Sequence, residues 1–235
     1  QCEQPCHAAS ATASTDSSTA CPPCSRRCAL QCVHSQCPKK CHEVCASCVE
    51  PCVWECEHQG RCGLPCGAPC DRAPCNKRCT KLLACGHQCP TVCGELCPDV
   101  SFCQKCGSKG GQLADVICMD EYANCNLNED PVCVLPCGHV FVISSLDGVM
   151  ELSNYYEKQT TATVSGIPVD EQWGNVIPLS DIQPSQPHSC PHCKAVIYNV
   201  RRYGRPINHA ALSVLERKFG LSVDHRLALL SVSAS

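Results

Sequence analysis

The chain has 235 residues, of which 29 are cysteine and only 4% aromatic, and its 19 Lys and Arg stand against 22 Asp and Glu for a net charge of −3. Cysteine at that density leaves two classes, a disulfide scaffold or a metal-binding array. No apolar run approaches the ~20 residues of a membrane span, so a soluble protein with no membrane partner is expected. The cysteine count is odd, and no charged stretch leads into an apolar one near Gln1, which weakens the secreted, oxidised class. Because the chain opens on Gln1 rather than Met, it reads as a fragment.

In chain order, residues 1–31 read as a partial repeat. Cys2-x3-Cys6 fits the middle of a unit, and Ala8 to Thr19 is a flexible Ala/Ser/Thr insertion. Cys21-x2-Cys24-x3-Cys28 then repeats the spacing of Cys45-x2-Cys48-x3-Cys52. Residues 32–106 hold three superimposable units, each with six cysteines and one histidine. The first is Cys32, His34, Cys37, Cys41, Cys45, Cys48 and Cys52; the second is Cys56, His58, Cys62, Cys66, Cys70, Cys75 and Cys79. The third is Cys85, His87, Cys89, Cys93, Cys97, Cys103 and Cys106. Leu, Ile and Phe are scarce up to residue 106, so metal must replace a hydrophobic core there.

Residues 107–235 have ordinary composition, with Leu135-Pro-Cys-Gly-His139 and Cys190-Pro-His-Cys193 at the two ends of a long insertion. Strands are expected over Val140 to Ile143 and Ala195 to Val200, and a helix over Leu146 to Tyr156. The four prolines of Val164 to Pro187 predict a loop. A second helix is expected over His209 to Phe219, capped by Asn208, stopped by Gly220, with Leu212, Leu215 and Phe219 on one face.

The histidines set two residues after Cys32, Cys56, Cys85 and Cys137 decide for metal, since disulfides give no reason for such pairs. Zn²⁺ takes four tetrahedral soft or borderline ligands, and closed sites are structural. Seven ligands per unit do not divide into fours. Sites must therefore share across unit boundaries, recruit His42 or His7, or leave a thiol free, and spacing does not fix the pairing. The 23 array cysteines with His34, His58 and His87 suffice for about six ions, and Cys137, His139, Cys190 and Cys193 form one further Cys3His site, so six to eight Zn²⁺ are expected. Cys118, Cys125 and Cys133 lack partner spacing and read as buried free thiols. His188, His192, His209 and His225 read as ordinary histidines. No His-Glu-x-x-His, open metal site or phosphate loop is present, so no catalytic centre is expected in this chain.

The run Cys85-Gly-His-Gln-Cys-x3-Cys-Gly-Glu-x-Cys97, and the units before it, resemble the nuclear-factor-X-box type of zinc finger. Glu129-Asp-Pro131, Leu135 to Phe141, Leu146-Asp-Gly148, Cys190-Pro-x-Cys193 and Arg202-Tyr-Gly-Arg205 resemble the segment C-terminal to those fingers in a helicase-linked branch of that family. The resemblance implies the C-terminal part of a protein with a superfamily-one RNA helicase in cis, a nuclear setting, and RNA and protein partners. It further implies RNA-directed RNA polymerase complexes, small-RNA-mediated heterochromatin silencing and RNA surveillance. Cys-x-His followed by Cys-x2-Cys also resembles half of a RING, which keeps a ubiquitin ligase as an alternative. A full RING interleaves two zincs and needs a third ligand pair between His139 and Cys190, where no cysteine lies. A DNA-binding transcription regulator is a third reading. The fold class expected is small, metal-dominated and irregular, with tandem Cys/His zinc-binding repeats followed by a small α+β, half-RING-like zinc domain. Thiolates would leave the array at about −10 after metal binding, so phosphate contacts must come from local clusters at Arg26-Arg27, Lys39-Lys40 and Arg72 to Lys81.

Overall fold

The computed structural model describes residues 24–164 and 167–233. Cys2, Cys6, His7, the Ala8 to Thr19 insertion and Cys21 lie outside the described residues.

The array is built almost without regular structure. A two-residue ribbon, β1 (Glu55–Cys56) with β2 (Gly60–Arg61), is its longest pairing, and single bridges such as Arg27 with Lys40 and Arg78 with Val92 hold the other turns. Its buried clusters are mostly sulfur. One gathers Trp54, Cys56, Cys62, Cys70 and Cys75, another Cys79, Leu83, Cys89 and Cys103. So few apolar side chains cannot hold this length of chain, and metal ligation must supply the missing stabilisation.

The tail has a conventional core. Antiparallel β3 (Val132–Val134) and β4 (Val140–Val142) lead straight into α1 (Ile143–Val149); β5 (Tyr156–Val164) and β6 (Ile167–Val176) form a second ribbon, and α2 spans Gly204–Ser233. Phe141, Leu146, Met150, Leu152, Tyr155 and Tyr203 pack at its centre, and the array's Val92 packs among them. Thr91 pairs in parallel with Val132, and Val92 donates to the Val132 carbonyl at 3.0 Å, so the third unit adds an edge to the β3–β4 hairpin. No helix among the described residues is long and apolar enough to cross a membrane.

Four sequence expectations are corrected. The helix expected to reach Tyr156 stops at Val149, because Glu151 turns left-handed at φ 50° and Tyr156 enters β5. The expected loop contains β6, whose Trp173 is buried in the core; Pro168 is tolerated because it lies in a two-stranded ribbon, where each strand is an edge. Ala195 to Val200 forms only a bridge from Val196 to Ser189, since Lys194 and Asn199, at φ 60° and 55°, break the extended run. Finally, α2 runs 30 residues, straight through Asn208 and Gly220.

The first half of α2, up to Lys218, lies against the array, whereas Phe219, Leu221, Leu227 and Leu230 beyond it are exposed. Gly204 abuts Cys70, where an added Cβ would come 2.7 Å from the sulfur. The Asn208 amide donates to the carbonyls of Cys66 and Ala68 at 2.8 and 2.7 Å, and Lys218 reaches Cys28. Over those fourteen residues the helix rises about 21 Å, splinting unit two to unit one.

A buried ion pair fixes the tail to the array at the foot of α2. Arg202, 2% exposed, grips Asp147 with two nitrogens at 2.9 and 2.7 Å, and donates to the Cys75 carbonyl and to Asn76 Oδ1. Tyr203 and Trp173 also donate to Asp147, at 2.7 and 2.8 Å. Burial works against the Arg202 charge, but the Asp147 carboxylate more than offsets it and holds the pKa above the ordinary value. Glu95 of unit three accepts the backbone N–H groups of Arg201 and Arg202, and Arg72, stacked 3.0 Å over Trp54, donates to the Arg201 carbonyl.

Candidate metal centres

The turn Leu-x-Cys-Gly-His occurs twice and folds identically. In the array, Leu83 N–H bonds the His87 carbonyl and Gly86 N–H bonds the Leu83 carbonyl; in the tail, Leu135 and His139, and Gly138 and Leu135, do the same, all at 2.8–2.9 Å. Gly86 and Gly138 sit at φ 77° and 81°, a conformation glycine adopts without strain. Each turn aims a thiol and an imidazole at one point.

Four Cys3His quartets result, each with its ligand atoms within 4.8 Å of one another: Cys32, His34, Cys48, Cys66; Cys56, His58, Cys75, Cys93; Cys85, His87, Cys103, Cys106; and Cys137, His139, Cys190, Cys193. A zinc tetrahedron with bonds of about 2.3 Å to sulfur and 2.0–2.1 Å to nitrogen has edges of about 3.5 Å from sulfur to nitrogen and about 3.8 Å between sulfurs. The observed Nδ1-to-sulfur separations are 3.6 Å (His34–Cys48), 3.7 and 3.6 Å (His58 with Cys56 and Cys75), 3.4 Å (His87 with Cys103 and Cys106), and 3.4 and 3.6 Å (His139 with Cys137 and Cys190). These edges fit zinc.

The remaining described ligands, apart from Cys24 and Cys41, fall into trios. Cys28, Cys37 and Cys45 lie within 4.8 Å of one another, with Cys28 and Cys45 sulfurs 3.7 Å apart. Cys52, Cys62 and Cys70 interact mutually, as do Cys79, Cys89 and Cys97, with 3.9 Å between Cys79 and Cys97. These sulfur separations again match a zinc tetrahedron edge. Three further groupings of candidate ligands stand beyond the four quartets and the first trio, in keeping with six to eight zinc sites.

The register of this pairing is regular. A quartet takes the first cysteine, the histidine and the sixth ligand of one unit with the fourth ligand of the next. A trio takes the last cysteine of one unit with the third and fifth ligands of the next. In unit three, Cys106 turns back to close its own quartet. Cys24 and Cys41 occupy the register places held elsewhere by Cys48 and Cys66. His42 is exposed, bonding the Cys24 carbonyl at 2.8 Å. The three-thiol groupings depart from the expectation that every site closes with four protein ligands.

The thiols are electrostatically uneasy without a cation. A hydrogen bond from Cys70 draws the Cys52 pKa down to about 5, with Arg72 assisting against burial. Burial and crowding by neighbouring thiols push Cys66 and Cys93 up to about 12. A divalent ion resolves both tendencies, because it deprotonates its ligands and neutralises them together.

In the tail, the His192 ring stacks on His139 at 5.0 Å and so supports the ligand's orientation, while His209 bonds the Tyr155 hydroxyl and His188 is half-buried. Cys133 is fully buried and its thiol pKa stands well above the ordinary range, whereas Cys118, expected to be buried, is exposed and Cys125 half-buried. The Ser145 hydroxyl donates to Asp115 Oδ1 at 2.7 Å, and the same oxygen accepts the N–H groups of Ile117 and Cys118 at 2.8 and 3.1 Å. Sequence reasoning missed this brace and the Asp147–Arg202 clamp, although Leu146-Asp-Gly148 and Arg202-Tyr-Gly-Arg205 both stand out as motifs.

Over 132 residues, 56% of this chain, the sequence is 28% identical to the NFX1-type zinc finger-containing protein 1 homolog of Caenorhabditis elegans. The Cys/His clusters fit an NFX1-type zinc-finger array. The match spans 4% of that relative's own length. No protein-family model and no solved structure matches the chain.

Proposed function

We propose that the chain is a zinc-stapled interaction module, without catalysis of its own, that docks RNA and protein partners for a parent protein carrying an RNA helicase in cis. The setting that fits is intracellular and nuclear, in an RNA-directed RNA polymerase complex or in small-RNA-mediated heterochromatin silencing and RNA surveillance. One observation carries the RNA contact. The Arg27–Lys40 bridge brings Arg26 and Arg27 of the partial repeat together with Lys39 and Lys40 of unit one on one exposed surface, a local cationic patch on an array that its thiolates leave anionic. Lys39 is tied to the Val44 carbonyl at 2.6 Å and Glu43 accepts the Lys40 backbone N–H at 2.5 Å, while the exposed side chains of Arg26, Arg27 and Lys40 supply the charge for phosphate.

Fluorescence anisotropy of single-stranded RNA, measured from low to physiological salt, tests this. The variant Arg26→Ala/Arg27→Ala/Lys40→Ala should weaken binding across all sequences and flatten the salt dependence by about two to three ions. Unchanged binding and slope would overturn the assignment.

A RING-like ubiquitin ligase is the second reading, and the Asp115–Ser145 brace favours it. In a RING, the ligands that come after Cys-x-His at three-residue intervals would fall at Val142 and Ser145. Here Ser145 meets the Asp115-x2-Cys118 turn through hydrogen bonds, and Val142 N–H bonds the Ala114 carbonyl at 2.9 Å. Discharge of loaded ubiquitin-conjugating enzymes that is lost on Cys137→Ala would put this reading first.

A further inference from the structure

We propose that Cys28, Cys37 and Cys45 form a three-thiol site, open to a groove, that accepts a three-coordinate thiophilic ion of the trivalent arsenic class. The inference rests on the metal-site reading above and goes beyond it. The quartets each offer four protein ligands, but no fourth Cys, His, Asp or Glu atom among the described residues joins this trio within 4.8 Å. The same three register positions meet again in Cys52, Cys62, Cys70 and in Cys79, Cys89, Cys97, so the trio recurs with the repeat.

Lys218 occupies one side of the first trio. Its Nζ lies 3.2 Å from the Cys28 sulfur and 3.6 Å from that of Cys45, and the residue is 4% exposed. An ammonium group has three donors and no lone pair, so it pairs with thiolates and does not ligate. Zinc bound to three thiolates is an anion of charge −1 that still lacks its fourth ligand. Trivalent arsenic forms three bonds and directs a lone pair to the fourth corner, so three sulfurs satisfy it completely.

Access differs by degree, with one buried thiol here, Cys28, against two in each of the other trios. Cys28, Cys37 and Cys45 line a groove of about 670 Å³ between unit one and α2, with Leu30, Lys39 and Arg217 also on its walls. Cys70 of the second trio lies beneath Gly204, and Cys89 of the third is fully buried.

The exchange balances without oxidant or reductant. Arsenous acid and three thiols give one tris-thiolate and three waters. Starting from the zinc form, three protons are consumed in making those waters and Zn²⁺ is released. The product is neutral, so Lys218 loses its anionic partner, and the lysine therefore favours zinc over arsenic.

The test titrates arsenite into the zinc-loaded chain under anaerobic conditions with a phosphine reductant. Native mass spectrometry counts both ions, and X-ray absorption at the arsenic edge counts its neighbours. The first arsenic should displace a single zinc and show three sulfur neighbours and no oxygen. Cys37→Ser should weaken that first binding by at least the ~10–100-fold that changes merely beside a metal ligand already cause. Lys218→Met leaves every thiol in place and should lower the arsenite concentration needed, which keeps the proposal testable if Cys37→Ser does not fold. Arsenic with two sulfurs and one oxygen, uptake indifferent to both substitutions, or no uptake at a large excess would overturn it. A chain purified with this trio empty that still bound arsenic through three sulfurs would uphold the proposal and remove only the zinc assignment of the trio.

Discussion

Replacing Arg202 by methionine removes the charge that joins the tail to the array while keeping much of the side chain's volume. The pair is almost dry, with Arg202 side-chain exposure at 2% and that of Asp147 at 12%. The change leaves the Asp147 carboxylate with only Tyr203 and Trp173 as donors, and it strips the Cys75 carbonyl and Asn76 of a partner. Breaking one side of such a pair costs about 3–5 kcal/mol. For a chain of this size that corresponds to roughly 6–20 °C in melting temperature. None of the lost bonds involves a ligand sulfur, so the zinc count should not change. Differential scanning calorimetry of the zinc-loaded chain, with native mass spectrometry beside it, reads both quantities. The double variant Arg202→Met/Asp147→Asn should be less destabilised than the two single changes together, because it leaves no uncompensated charge. A melting temperature within about 2 °C of the parent for Arg202→Met, less than 1 kcal/mol on the same scale, would refute the clamp.

Cys190→Ser should cost one zinc, the tail's, and leave the array metallated, since the two share no ligand; native mass spectrometry showing no loss, or several ions lost, would contradict the assignment. Gly138→Ala should lower thermal stability by about 1 kcal/mol or more, because φ 81° suits glycine alone, and should speed zinc loss from the tail site as followed with a chromogenic chelator. Chelation of the whole chain should melt the array before the tail, seen by limited proteolysis under rising chelator, because the tail has its own hydrophobic core and the array's clusters are mostly thiol.

Local spacing made part of this legible. Cys137-Gly-His139 and Cys190-x2-Cys193 each complete half a tetrahedron from one turn of chain, and the sequence shows both halves. Pairing within the array was not legible, and Cys45-x2-Cys48 shows why. The spacing looks like a single two-ligand turn, yet Cys45 joins the first trio and Cys48 a quartet with Cys66 of the next unit. Nothing in the interval separates a pair that grips one ion from a pair that bridges two. The clamp was hidden for a different reason. Arginine in a polar run reads as solvated surface, and its partner Asp147 lies 55 positions away. The length of α2 was not legible either: Gly220 is a fair stop signal, yet the helix passes through it to Ser233, beyond its last array contact at Lys218.

The ligand register gives the repeat its mechanical character. Every unit supplies ligands to sites it shares with its neighbour, so the boundaries drawn between repeats are not boundaries of stability, and no unit can complete all its sites alone. An array linked in this way behaves as a chain of nearest-neighbour couplings. Its C-terminal end is closed twice, by Cys106 returning to the Cys85–His87 quartet and by the tail edge at Thr91. From there α2 runs back beside units two and one, contacting Cys70, then Cys66 and Ala68, then Cys28 and Cys45. The helix therefore ties successive zinc groupings to one element, through an amide placed on carbonyls and an ammonium group placed on thiols. Arg26 and Arg27 of the partial repeat and Lys40 of unit one lie in the part of the described array farthest along the chain from that closed end, and their side chains are exposed. For the proposed docking role, cations displayed on a ligated backbone have the advantage that a phosphate chain meets the patch without first having to order it.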